Sequence, residues 1–245
     1  MQFYYLISVI MFSRLFFLFR DEQITANKLV AILLIQVIPL FLFDLTTRLI
    51  LLIIILIGLN TLFFYIENKK KKLNGFRFLS LIILLIIAAI FSSSFFKLEF
   101  NGWLINYFHN INLTFPFISK FENFSSIIII TSAVLFLLNE VNFLIRFFFE
   151  IFKLFPNQKK EDENYMLDER EYNAGRVIGM LERTLILFFV FAGQFGAIGF
   201  IIAAKGFTRF KELDKREFAE YVLIGTLLSS LLAIFIGIIV KAKIL

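Results

Sequence analysis

Asn139, Asn142 and Arg146 in one apolar stretch, and Arg176, Glu182, Arg183 and Gln194 in the next, are the side chains of this sequence best placed to do chemistry. They offer amides, guanidiniums and one carboxylate, a set suited to holding charge rather than to nucleophilic attack. Ser125, Ser132, Asn139, Asn142, Arg146 and Glu150 are spaced by seven, seven, three, four and four residues, which puts them on one stripe of a helix. In lipid such a stripe turns toward protein or water, because an ionised group near the bilayer centre costs several kcal/mol. Arg146 and Glu150 can pair along the helix. Alternatively both lie at its end and extend their heads to water, leaving Asn139 and Glu140 as the costly groups. In the following stretch Gly175, Gly179 and Glu182 share a face, with Arg176 and Arg183 on the adjoining one. Two glycines beneath a carboxylate let a neighbouring helix come close enough to meet Glu182, through Arg146 or Lys205. Glu182 is the leading functional candidate; the plainer reading is an internal salt bridge that fixes helix register.

Other chemistries find few residues to carry them. With no Cys and the single His109, neither a thiolate nor a multi-histidine metal site is expected, and no cofactor is implied. His109 has no carboxylate or second His near it in sequence and reads as a surface histidine. No Walker loop, dinucleotide glycine motif, serine nucleophile elbow or HExxH helix occurs. The expectation is a protein that is not an enzyme.

The elements that position these groups follow from hydropathy. At 60% hydrophobic residues, 36 of them Phe, and a mean hydropathy of +0.86, the chain carries more apolar side chain than one soluble core can hide. The bilayer is its natural solvent. Candidate helices cover 3-19, 29-43, 49-66, 78-96 and 126-151, then a glycine-broken stretch at 177-208, and finally 220-240. About 20 helical residues cross a hydrocarbon core of about 30 Å. The expected fold is all-α, a polytopic integral membrane helix bundle with a glycine-broken hairpin in its C-terminal half. The first helix reads as retained, since no Lys or Arg precedes Arg14, itself inside the apolar run, and no small-residue cleavage site follows. Three regions result: N-terminal transmembrane helices over 1-155, a charged cytoplasmic linker over 156-176, and a C-terminal membrane module over 177-245.

Charge sets the orientation. Lys69, Lys70, Lys71, Lys72 and Arg77 mark the 67-77 loop as cytoplasmic, and counting outward puts 97-125 outside and 152-176 inside. The 205-219 segment, with Lys205, Arg209, Lys211, Lys215 and Arg216, also belongs inside, which one span between them forbids. A straight helix over 177-208 would be about 48 Å long, well beyond the hydrocarbon thickness. A break near Gly193-Gln194 gives instead a re-entrant or short-span hairpin returning to the cytoplasm, its tip buried by other helices or lining a wet cavity. The net charge of +6 is thereby assigned to topology rather than to nucleic acid. The aromatic segment 97-125 is expected to rest in the outer headgroup region.

Small residues recur every fourth position at Gly225, Ser229, Ala233 and Gly237, and a second small face runs through Ala192, Gly196, Gly199, Ala203 and Gly206. Small side chains permit the close backbone approach from which helix packing in lipid draws its energy. Both faces are expected to pack within the C-terminal half, with homo-oligomer formation as the sharper alternative.

Asn173-Ala-Gly-Arg-Val-Ile-Gly-Met-Leu-Glu-Arg183, then Phe191-Ala-Gly-Gln-Phe-Gly-Ala-Ile-Gly-Phe-Ile-Ile-Ala-Ala-Lys-Gly-Phe-Thr-Arg-Phe210, then Ala219-Glu-Tyr-Val-Leu-Ile-Gly-Thr-Leu-Leu-Ser229 form a familiar pattern. It resembles the bacterial membrane family known as domain of unknown function 3307, over the C-terminal half only. The resemblance implies a bacterial inner-membrane protein and brings no activity with it. Members of that family carry an N-terminal helix bearing His, Asp and Gln; here residues 1-30 hold no His, and Asp21 sits in a charged loop.

The functional expectation is a multi-pass membrane protein, non-enzymatic, that presents the cytoplasmic faces 156-176 and 205-219 to a protein partner. Its alternative is a small transporter or permeation pathway using a polar site around Glu182.

Overall fold

The computed structural model describes residues 1–18, 23–69, 73–96, 98–103, 124–154, 169–208 and 216–244. Among these the fold is all-helical, and the chain divides into two compact units, Met1–Leu135 and Phe136–Leu245. Four helices, Thr47–Glu67, Asn74–Phe91, Ser125–Phe152 and Ala219–Ile244, are long and apolar enough to cross a membrane.

The first unit contains α1 (Gln2–Arg14, prolonged by a 3-10 turn over Leu15–Phe17), α2 (Ala26–Leu40), α3 (Thr47–Glu67), α4 (Asn74–Phe91) and α5 (Phe124–Leu135). Helix α1 packs against α2, α4 and α5, so it is covered on several sides. Leu6 and Ile10 of α1 meet Leu40, Leu52, Leu56 and Leu84 in one apolar core. Helix α3 starts where Thr46 accepts the Leu49 amide at 3.3 Å, the side-chain cap that an exposed first turn needs.

At the other end of this core the chain after α4 folds inward. The amides of Asp44 and Asn101 bond the carbonyls of Glu99 and Leu42 at 2.9 and 3.0 Å, and the rings of Phe43 and Phe100 stack at 4.4 Å. Leu98 and Phe100 are buried, which corrects the expectation of an interfacial segment for its first residues. The backbone pairing with 42–44 draws these side chains into the core, while Trp103 stays exposed. The rest of that aromatic segment, with His109, lies outside the described residues.

The second unit begins with a π-helix, Phe136–Glu140, that runs into α6 (Val141–Phe152). It continues with α7 (Glu169–Ala192), α8 (Phe195–Thr208) and α9 (Arg216–Ile244). Helices α7 and α8 form the hairpin. Gly193 takes φ +69°, a conformation that favours glycine, and the Gly193 and Gln194 amides bond back to Val190 and Phe189 carbonyls at 3.2 and 2.9 Å. This double bond-back terminates α7 and reverses the chain.

Helix α9 runs parallel to α7. Arg183 meets Ser229, Val190 lies under Gly237, and Lys241 Nζ donates to the Val190 and Phe191 carbonyls at 3.2 and 3.1 Å. The small face of α9 lies along this contact. A Cβ on Gly237 would stand 3.0 Å from Val190, one on Gly225 would stand 3.2 Å from the Phe149 ring, and Ala233 is fully buried. The second small face is a correction. Gly196 and Gly199 are exposed, and a Cβ on either would meet nothing within 4 Å. Helix α8 turns Ile198 and Lys205 toward α7, which points Gly196 and Gly199 away from it.

Candidate functional site

Arg183 is the centre of the second unit's polar side chains. It is 3% exposed, and its guanidinium donates through Nε to the Leu137 carbonyl at 2.7 Å, through Nη2 to Asn142 Oδ1 at 2.9 Å, and through Nη1 to Ser229 Oγ at 3.3 Å. Four segments thereby converge on one side chain: the π-helix, α6, α7 and α9. The π-helix has a local reason to be there. Widening the turn by one residue disturbs the regular backbone ladder, and the Leu137 carbonyl at that turn is the acceptor for Arg183. In the same turn the buried Glu140 carboxylate accepts from Asn139 Nδ2 at 2.9 Å.

Beside Arg183, Glu182 turns to the other arm of the hairpin, where Lys205 Nζ meets its Oε2 at 2.5 Å. Each partner stands eleven residues from the Gly193-Gln194 tip, as an antiparallel hairpin of equal arms requires. Their side chains remain 17% and 19% exposed, so the pair sits at the edge of the contact.

The level of these charges follows from α9. Between Glu220 and Lys241 run 20 residues without a charge, about 30 Å of helix, and Ser229 is the ninth of them. Arg183 therefore lies close to halfway along that apolar length, and Lys241 marks the level of the hairpin tip. Leu137 is likewise close to the middle of the apolar helix Ser125–Phe152.

Of the side chains singled out from sequence, Arg183 joins Asn142 and Ser229 directly, Asn139 bonds its chain neighbour Glu140 in the π-turn, and Glu182 takes Lys205 rather than Arg146. Arg146 and Arg176 are part-buried on α6 and α7, and Gln194 is exposed at the tip.

Sequence reasoning missed a second buried polar set, in the first unit. Arg14 donates to Ser80 Oγ at 3.1 Å and to the Arg77 carbonyl at 2.9 Å, and Arg77 grips Glu67 Oε1 through Nε and Nη2 at 3.1 and 2.6 Å. Both guanidiniums also lie over the Phe17 ring, Arg14 at 5.2 Å and Arg77 at 4.6 Å from its centroid. Next to Arg14, Ser13 Oγ accepts from Gln36 at 2.7 Å, and Gln36 Oε1 accepts from Asn60 at 2.8 Å. The signal available was Arg14 itself, an unexplained charge within an apolar run. Arg77, counted with the loop charges in the sequence, is instead 1% exposed within α4.

No protein-family model matches the chain, and neither a curated protein nor a solved structure aligns with it. The resemblance over the C-terminal half therefore rests on its residues alone. Among the described residues, no cluster of three or more His, Cys, Asp or Glu is arranged to hold a metal ion.

Proposed function

We propose that the chain is a multi-pass protein of a bacterial inner membrane whose C-terminal helices form a polar pathway for a small solute, centred on Arg183 and the Glu182–Lys205 pair. The observation that carries this reading is the level of Arg183. With α9 across the bilayer, a guanidinium and an ion pair stand near the middle of the hydrocarbon, beside a broken helix pair. Ionisable groups at that depth cost several kcal/mol unless partnered and are characteristic of solute and proton routes. The Glu182–Lys205 pair joins the hairpin arms at the edge of their contact, so opening and closing it is the movement that would admit a solute. Reconstituted into liposomes, the protein is expected to release a trapped small solute, and Glu182→Gln is expected to slow that release at least tenfold. Equal release by the two proteins, or none above empty liposomes, contradicts the reading.

A second reading, a non-enzymatic protein that docks a partner, is favoured by the open side of α8. Phe195, Phe200 and Phe207 are strongly exposed there beside Gly196 and Gly199. Of the faces assigned to this role, 156-176 and 205-219, residues 156–168 and 209–215 lie outside the described residues. A cysteine at Gly199 that cross-links to a second polypeptide in membranes supports this reading; one that stays unlinked under the same reagent counts against it.

A further inference from the structure

We infer that Arg183 and the notch above Gly179 bind a small monovalent anion within the membrane. The inference rests on the pathway reading for its role, naming the class of solute that would occupy the polar centre; binding itself stands on the geometry alone.

A buried charge in a protein is ordinarily matched by an opposite one. Among the described residues, every direct partner of Arg183 is neutral: a carbonyl, an amide oxygen and a hydroxyl. Neither Glu182, its neighbour in the chain, nor Glu140, in the turn that holds Leu137, bonds to it. Glu182 meets Lys205, and Glu140 accepts from Asn139. Its hydrogen bonds thus all go to neutral dipoles, and the carboxylate that acts on it, Glu182, makes no hydrogen bond to it. A guanidinium has five N–H groups, and three bonds are made, one at each nitrogen. One N–H on Nη1 and one on Nη2 remain for an acceptor, and the paired terminal nitrogens are the end of arginine that binds anions in a fork.

Gly179 supplies the space. A Cβ built there would stand 3.4 Å from Arg183 Nη1 and would meet no other atom within 4 Å. The glycine is part-exposed one helical turn before the arginine, so any larger side chain would cover that nitrogen from the open side. A buried guanidinium bonded only to neutral groups, with two unused donors beside a position kept free of side chain, is the arrangement that a chloride-sized or carboxylate-type anion fits.

The test uses the full chain in nanodiscs, with chloride and, separately, formate replacing gluconate at constant ionic strength. The wild-type protein is expected to gain a saturating rise in Tm of about 5 °C at a hundredfold excess over Kd. Gly179→Leu keeps the guanidinium and its three bonds but fills the notch; it is expected to match the wild-type Tm in gluconate and to lose the rise. Arg183→Gln is expected to lose it too, and if that variant does not fold, Gly179→Leu decides alone. A wild-type protein indifferent to both anions, or a rise that persists in Gly179→Leu, overturns the inference. Anion flux in liposomes separates the two claims. Saturable binding without flux leaves this site standing and removes the pathway reading, whereas flux of another solute without anion binding does the reverse.

Discussion

Arg14, Gln36, Asn60, Glu67 and Arg77 are each at most 9% exposed, and together they tie α1, α2, α3 and α4 by side chain rather than by apolar contact alone. Lipid supplies no hydrophobic push between helices, so such bonds specify which faces meet. Removing one member of a buried pair leaves the other charge uncompensated, at a cost of about 3 kcal/mol or more, whereas replacing both by apolar residues costs less. Glu67→Leu and Arg77→Met alone are therefore expected to lower stability more than the double variant does, as read by unfolding in mixed micelles. A double variant that costs as much as either single, or more, would contradict this coupling. Little of this set was legible in the sequence. Arg14 and Arg77 were visible as charges, but the acceptors of Arg14 lie more than sixty residues from it and Glu67, the partner of Arg77, stands on another helix, and residue type does not name a partner on another helix. For Glu182 the glycine-lined face left two bases in reach, Arg146 and Lys205, and Lys205 on the hairpin's other arm is the one that meets it.

Helices and their breaks were legible because hydropathy and glycine report on them directly: the apolar runs became α1 to α9, and Gly193 ends α7 with positive φ. The π-helix was not legible, since one extra residue in a turn leaves the apolar pattern unchanged. If Arg183 holds that turn through the Leu137 carbonyl, Arg183→Leu releases it, and a return to α-helical winding turns α6 by about 100° about its own axis against α9. Cysteines replacing Phe149 and Tyr221, whose rings stand 4.7 Å apart, are expected to cross-link when Arg183 is present and to lose the cross-link in Arg183→Leu. An unchanged yield would show that the turn holds without the guanidinium. The two small-residue faces give a second contrast at this scale. Gly237→Leu drives a side chain into Val190 and is expected to destabilise by about 1–3 kcal/mol, while Gly199→Leu, with nothing within 4 Å of its Cβ, is expected to be near neutral in thermal unfolding. Sequence spacing treated the faces alike because it records periodicity but not which side of a helix its neighbour takes.

At the scale of the whole molecule, the second unit turns on one placement, the hairpin tip at the level of Lys241 and the charged pair halfway back. From sequence, the basic flanks of 177-208 required a return to one side but left the depth of the tip open. Contact with α9 sets that depth, because α7 and α9 run parallel and share the level of Val190 and Gly237. A tip at Lys241 lies about 30 Å from Glu220 along α9, one full hydrocarbon thickness. The most direct test places single cysteines at Gln194 and at Glu220 in this cysteine-free chain and labels intact cells, then opened cells, with a membrane-impermeant thiol reagent. The placement of charge at mid-depth requires Gln194 to label from outside and Glu220 only after opening. Labelling of both positions from the same face, or a Gln194 cysteine protected from both, would contradict it.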